Sequence, residues 1–294
     1  MSSLDGSCHR RVFYLLFTLL CALSLASATF GEVWIIPTHD APDPIVGQQA
    51  AQAQSPSLAK ADQPDDLMIL PFFEVDTSEE GRVTTLYAVR NTRQQPIDVD
   101  IHYCDPKGNI VQRSSLELAP RETHSVNLRD IPGLLPDEDG IARGMVTFLA
   151  NSARDGSGMV GDFLQVHPHA NHATGDRLIS LYELCDMSEV RFLDFGQGTH
   201  LRILLSQPRG IDLFEPSFTV TPILENGTTL GSSSVYTDQI LLELDASAFT
   251  SERFGSLIFD FSNGSGGYVY AEYSAEDRFS IGFNSACLEF EKAP

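Results

Sequence analysis

Ile97-Asp98-Val99-Asp100-Ile101-His102-Tyr103-Cys104-Asp105-Pro106-Lys107-Gly108-Asn109-Ile110-Val111 is the stretch that decides the fold. Its first seven residues alternate apolar and polar with period two. In a strand, Ile97, Val99, Ile101 and Tyr103 then share one face and Asp98, Asp100 and His102 the other. Asp105 to Asn109 is a tight turn, because proline presets φ and glycine accepts a positive φ. Apolar residues resume at Ile110-Val111. Strand, turn and returning strand in so short a span make an antiparallel hairpin with one buried face.

The same grammar extends in both directions. Met68–Val75 is a short apolar run, and Val83–Arg90 is rich in β-branched and aromatic residues. Asn91 to Pro96 reads as a turn. Downstream, Leu116–Leu118, Thr123–Leu128, Ala142–Leu149 and Phe163–Val166 read as further strands, with Pro132 to Gly140 as a loop. The second half repeats this order. Thr199–Leu205 stands for the Val83 strand and Ser217–Leu224 for the Ile97 strand. Asn226-Gly227 is a hairpin turn. Ile240–Leu244, Phe254–Phe261, Tyr268–Tyr273 and Phe279–Phe283 follow. The repeat lies in order and spacing rather than identity, with its join between 170 and 198. Residues 178–194 fit a short helix or a strand. The expected fold is all-β, two tandem antiparallel immunoglobulin-like β-sandwich domains at 67–176 and 177–294.

Leu118-Ala119-Pro120-Arg121-Glu122-Thr123 follows the Asp105–Gly108 hairpin and leads into an alternating strand. This Leu-x-Pro-x-Glu-Thr segment resembles the middle of secreted bacterial immunoglobulin-like modules, over roughly 83–149. The motif encodes a turn into a strand and carries no chemistry. The resemblance implies an adhesive, spacer or binding role.

The two ends of the chain bear on its destination. His9-Arg10-Arg11 is a basic start, Val12 to Leu25 an apolar run, and Ala26-Ser27-Ala28 a small-x-small site. The run is shorter than the ~20 residues of a membrane-spanning helix, so 1–28 reads as a signal peptide removed before Thr29. No second long apolar stretch follows, so no span is expected after cleavage. Residues 29–66 read as a flexible lead, rich in Pro, Gln and Ala. Val33-Trp34-Ile35-Ile36 within it holds the single Trp and is free to dock or to hang loose. The expected destination is the periplasm, the cell surface or the medium.

Composition excludes some partners and suggests none by itself. Nineteen Lys and Arg stand against 40 Asp and Glu, a net charge of −21. That balance lacks the basic footprint of nucleic-acid or anionic-membrane binding. After cleavage Cys104, Cys185 and Cys287 remain, and the expected disulfide is Cys185–Cys287, since both lie in the second half. Cys104 is expected to be a half-buried strand residue rather than a reactive thiol.

Candidate chemistry is sparse. His167-Pro168-His169-Ala170-Asn171-His172 places three imidazoles in a loop, and His167, His169 and His172 are the candidate ligands for Zn²⁺ or Cu²⁺. Asp137-Glu138-Asp139-Gly140 gathers oxygen ligands for Ca²⁺, without the closing Glu of an EF-hand. Tyr268 and Tyr270 share a strand face and suit stacking on a sugar or a partner. There is no Gly-x-Ser-x-Gly elbow, His-Glu-x-x-His helix or phosphate loop. No catalytic residue is assigned and no cofactor is required. The sequence therefore points to an exported non-enzymatic structural or binding protein, its partner a protein or glycan met through loops 132–140 and 150–176 or a free sheet edge. The alternatives are a secreted metal-binding protein, a carbohydrate-binding module, and a hydrolase with a dispersed site.

Overall fold

Alternation and turn chemistry set nearly every element. The computed structural model describes residues 33–37, 66–150, 158–170, 172–180, 184–193, 198–205, 216–261, 266–275, 279–284 and 286–287. The expected signal peptide and, apart from 33–37 and Asp66, the lead lie outside them. Within them the chain is all-β, with strands and single-turn 3-10 helices only.

The first sheet holds β2 (Asp66–Asp76), β4 (Ile97–Cys104), β5 (Ile110–Leu118), β7 (Ile141–Ala150) and β10 (Ile179–Ser180), ordered β10-β2-β7-β4-β5. Packed on it is a sheet of β3 (Thr84–Asn91), β6 (Thr123–Asn127), β8 (Met159–His167) and β9 (His172–Arg177), ordered β6-β3-β8-β9. The third comprises β1 (Val33–Pro37), β11 (Met187–Leu193), β13 (Phe218–Leu224), β14 (Ser233–Thr237), β16 (Phe254–Asp260) and β19 (Ala286–Cys287), ordered β1-β14-β13-β16-β11-β19. The fourth comprises β12 (Thr199–Leu205), β15 (Leu241–Asp245), β17 (Gly267–Ala275) and β18 (Phe279–Asn284), ordered β15-β12-β17-β18. All strand pairs are antiparallel and no sheet closes into a barrel. Glu32–Pro294 forms one compact unit holding all four sheets.

The internal repeat is plain in the topology. Adding nine to each label of β10-β2-β7-β4-β5 and β6-β3-β8-β9 gives β19-β11-β16-β13-β14 and β15-β12-β17-β18. Among the described residues one strand, β1, has no counterpart. β1 adds to the β14 edge with Ile35 opposite Val235, while β5, which matches β14, ends its sheet.

Each half has its own apolar interior. In the first, the Tyr87 ring meets Phe148 edge-on at 5.0 Å. The Tyr87 and Tyr103 hydroxyls hydrogen-bond to each other at 3.0 Å, so the interior keeps no unpaired phenol there. In the second, Phe218 packs 6.1 Å from Phe259 and 5.4 Å from Phe261. Val33 and Ile35 of β1 cover the rim of that core.

Several segments differ from expectation. Within 178–194 the described residues form β10 and β11 and no helix, because their apolar side chains face two different cores rather than one helical stripe. Within the expected loop 150–176 the described residues are largely the β8–β9 hairpin. Val33–Pro37 docks.

The Leu118–Thr123 motif has a physical account. The Ala119 N–H donates to the Glu122 carboxylate at 2.7 Å, and the Glu122 N–H returns to the Ala119 carbonyl at 3.1 Å. Pro120 leads into the turn and Arg121 takes φ 65°, the left-handed conformation that favours glycine. Buried Asn91 ties this turn to its own, its amide donating to the carbonyls of Gln95, Leu118 and Ala119. Asn91→Ala is expected to lower unfolding free energy by about 2–3 kcal/mol by stranding these groups. Arg121→Gly is expected to raise it by about 0.5–1 kcal/mol by relieving the left-handed residue. Urea denaturation of both variants checks the pair, and equal shifts of one sign would refute this account of the turn.

Candidate functional site

The largest concentration of buried charge lies where the two halves meet, and it starts from a proline. Pro71 has no N–H to give a ladder, and β2 slips register between Leu70 and Phe73 opposite β7. The bulge turns Phe72 toward the second half. Its ring meets Phe163 edge-on at 5.3 Å and Tyr270 at 5.0 Å, and the Arg202 guanidinium lies over it, 4.6 Å from the centroid.

Glu74 follows two residues later on the same strand. One carboxylate oxygen accepts from Arg143 Nε at 2.9 Å. The other accepts from Gln165 Nε2 at 2.6 Å and from Arg202 Nη2 at 2.8 Å. Gln165 Oε1 in turn accepts from Arg202 Nη1 at 3.3 Å. The Nε of Arg202 lies 3.4 Å from Glu243, and its Nη2 lies 3.6 Å from Glu272. Arg143 also pairs with Asp137. Six strands and one loop thus contribute to one network. The β4–β5 turn adds a separate contact, with the Pro106 carbonyl accepting from Ile240 N–H at 2.9 Å and Lys107 Nζ 2.7 Å from Asp238.

The electrostatics make this a clasp rather than a proton-transfer site. Burial pushes the Glu74 carboxyl up, but the Arg202 and Arg143 charges outweigh it and hold it down at about 2. Burial works against the Arg202 charge, and Glu74, Glu243 and Glu272 more than restore it. Glu74 therefore stays ionised and Arg202 protonated through the neutral range, with neither poised to exchange a proton. Glu243 behaves differently: burial raises its carboxyl, Arg202 pulls it down, and repulsion from Glu74 and Glu272 adds to the rise.

The residues singled out from sequence fall in several places. Tyr268 and Tyr270 do share a face, but it is the face of β17 turned to the first half, where they are 7% and 2% exposed. The Tyr268 hydroxyl donates to Asp176 at 2.7 Å, and burial followed by the Glu272 charge pushes the Tyr270 phenol up to about 12. Neither ring presents an open face for a sugar. His167 ends β8 opposite His172 at the start of β9, so the backbone makes them a cross-strand pair. His169 lies in the turn between them, its Nε2–H donating to the Glu80 carbonyl at 2.9 Å. The His172 side chain lies outside the described residues.

Asp137 Oδ1 accepts from the N–H groups of Asp139 and Ile141 at 2.9 and 3.1 Å, so the expected calcium turn uses that carboxylate to hold itself. Cys185 is disulfide-bonded. Cys287 lies in β19 opposite Ser188 of β11, which brings it near the start of that strand. Cys104 is a free buried thiol, pushed up first by burial and then by Asp105, which disfavours the thiolate. Sequence reasoning missed Glu74, Arg143, Gln165 and Arg202, whose partners lie up to 128 positions apart. The one local hint was Arg202 inside an otherwise apolar run.

Compared with family models, curated proteins and solved structures, the chain matches none.

Glu74→Gln breaks a buried pair and is expected to lower stability by about 3 kcal/mol at pH 7. The Glu74 carboxyl is lower in the folded chain than in the unfolded one, so its contribution is full above about pH 5 and fades toward pH 2. The variant's stability should fall less steeply across that window. Glu243→Gln removes a charge the fold disfavours and should be neutral or stabilising at pH 7. Thermal unfolding of both from pH 7 to 2.5 checks the signs, and destabilisation by Glu243→Gln equal to that by Glu74→Gln would refute the assignment.

Proposed function

We propose that this is an exported, non-enzymatic structural or binding protein of the periplasm, cell surface or medium. It consists of two tandem immunoglobulin-like β-sandwich units that follow a removed signal peptide. The observation that carries the reading is the repeated nine-strand topology clasped through the saturated Glu74–Arg202 network. A rigid pair of all-β units displays loops and edges at fixed separation, which suits holding or spacing a partner. The disulfide at Cys185 supports an oxidising destination. The strong net negative charge supports a protein or neutral glycan partner over nucleic acid.

One observation favours a second reading, a metal-binding exported protein. The β8–β9 hairpin pairs His167 with His172 around the turn that carries His169.

Expression in a secreting bacterial host tests destination and role together. The expected product leaves the cytosol and begins at Thr29 by intact-mass measurement, and it captures a defined component from native extracellular material. Cytosolic protein with residues 1–28 intact, or turnover across ester, glycoside and peptide substrates, would overturn the proposal. For the metal reading, equilibrium dialysis should show zinc bound at about micromolar concentration and lost in His169→Ala and His172→Ala, and no bound zinc would remove it.

A further inference from the structure

We infer that the outer edge of β5 is a docking edge for a second copy of this chain, the two β5 strands pairing antiparallel about a twofold axis through Ser115. The inference rests on the structural-or-binding reading and names its partner.

Three observations carry it. First, β5 is the longest edge strand among the described residues, nine residues with no proline. It pairs only with β4. Arg113, Ser114, Ser115 and Glu117 are exposed along it, and Ile110 is 41% exposed at its start. An edge of this kind offers a row of unpaired N–H and C=O groups to an incoming strand.

Second, the chain itself shows what this position in the fold accepts. β5 matches β14 in the repeat, and β14 is not an edge. There β1 adds antiparallel over five residues, from Val33 opposite Thr237 to Pro37 opposite Ser233. The repeat is complete without β1, so the added strand extends a finished sheet rather than filling a gap. Among the described residues, the first half has the same place with no strand in it.

Third, β5 is complementary to itself. Its pairing with β4 sets Arg113 opposite His102, Ser115 opposite Asp100 and Glu117 opposite Asp98, so these three side chains share the outer face. A twofold axis at Ser115 sets Arg113 of each copy opposite Glu117 of the other. Neither residue has an ion pair or side-chain hydrogen bond among the described residues. Two identical cross-strand ion pairs follow, an isologous contact as twofold symmetry requires. On the inner face the same axis sets Leu116 beside Ser114 and Leu118 beside Gln112, which keeps the apolar groups toward the core. These two pairs give local attraction on a surface whose net charge otherwise repels its own copy, and they select this register over its neighbours.

The test uses the full mature chain in about 0.15 M salt, where long-range repulsion is screened. Sedimentation from about 1 μM to about 1 mM should show a monomer–dimer equilibrium. Under oxidation Ser115→Cys should give a covalent dimer, because the two positions face each other on the axis, while Ser114→Cys should not. Arg113→Glu places like charges opposite one another twice and should weaken dimerisation about tenfold or more, and adding Glu117→Arg should restore it. Both β5 residues are exposed, so these variants keep the fold, which dichroism verifies. A chain monomeric throughout, a covalent dimer from Ser114→Cys alone, or a charge swap without rescue would overturn the inference. Partner capture that persists in a strictly monomeric chain would defeat this inference and leave the binding reading standing.

Discussion

The Glu74–Arg202 pair is the constraint on which the arrangement of the two halves depends. Within the sheet β15-β12-β17-β18, the two central strands β12 and β17 carry buried side chains on both faces. Leu201, Ile203 and Leu205 of β12 fill the second core, while Arg202 and Leu204 face the first half. A strand wet on one side tolerates any polar residue there. A strand covered on both sides must satisfy each one. Arg202 meets that demand only because Glu74, Gln165, Glu243 and Glu272 converge on it from four other strands. The bulge at Pro71 matters for the same reason, since without it Phe72 would not lie beneath the guanidinium.

This double burial explains where sequence reading succeeds and where it stops. Ile97–Tyr103 alternates cleanly because β4 has one core face and one solvated face, and its pairing follows the pattern residue for residue. Tyr268 and Tyr270 were legible as sharing a face, but not which face, because a strand between two cores alternates between two interiors and shows no polar side. Composition does not reveal that β1, some two hundred positions earlier, covers the edge of β14. The network itself was illegible for a simpler reason. Its members are single charged residues in separate strands, and only the folded topology gathers them. The topology was nearly readable: the order and spacing of strands in 199–283 repeat those in 83–166, and the sheets then repeat strand for strand.

The halves share topology yet differ in what they leave uncovered, and the differences lie at edges and at the join. The first half gives its β2 bulge, β8 and β9 to the contact with the second. The second gives β12, β15 and β17. The contact is only partly between equivalent surfaces: β8 and its counterpart β17 both take part, but Glu74 of β2 meets Arg202 of β12, whereas the counterpart of β2 is β11. Copies that met only through equivalent surfaces would stop symmetrically at two, whereas contact through unlike surfaces leaves the unused surface of each copy exposed.

The chemistry of the clasp also says what it contributes. Apolar contact between Phe72, Phe163 and Tyr270 is non-directional and would tolerate a sliding or rotated interface. Hydrogen bonds to a carboxylate are not tolerant in this way, since each of Arg143, Gln165 and Arg202 must meet Glu74 within a narrow range of distance and angle. Desolvating so many charges uses up much of the attraction among them, so the network adds little net adhesion relative to apolar side chains of similar volume. Its effect is on geometry. Any displacement of the halves leaves a buried ion without a partner, a penalty of several kcal/mol for a shift that apolar packing alone would resist weakly. The rings hold the two halves in contact, and the carboxylate at their centre allows one orientation between them.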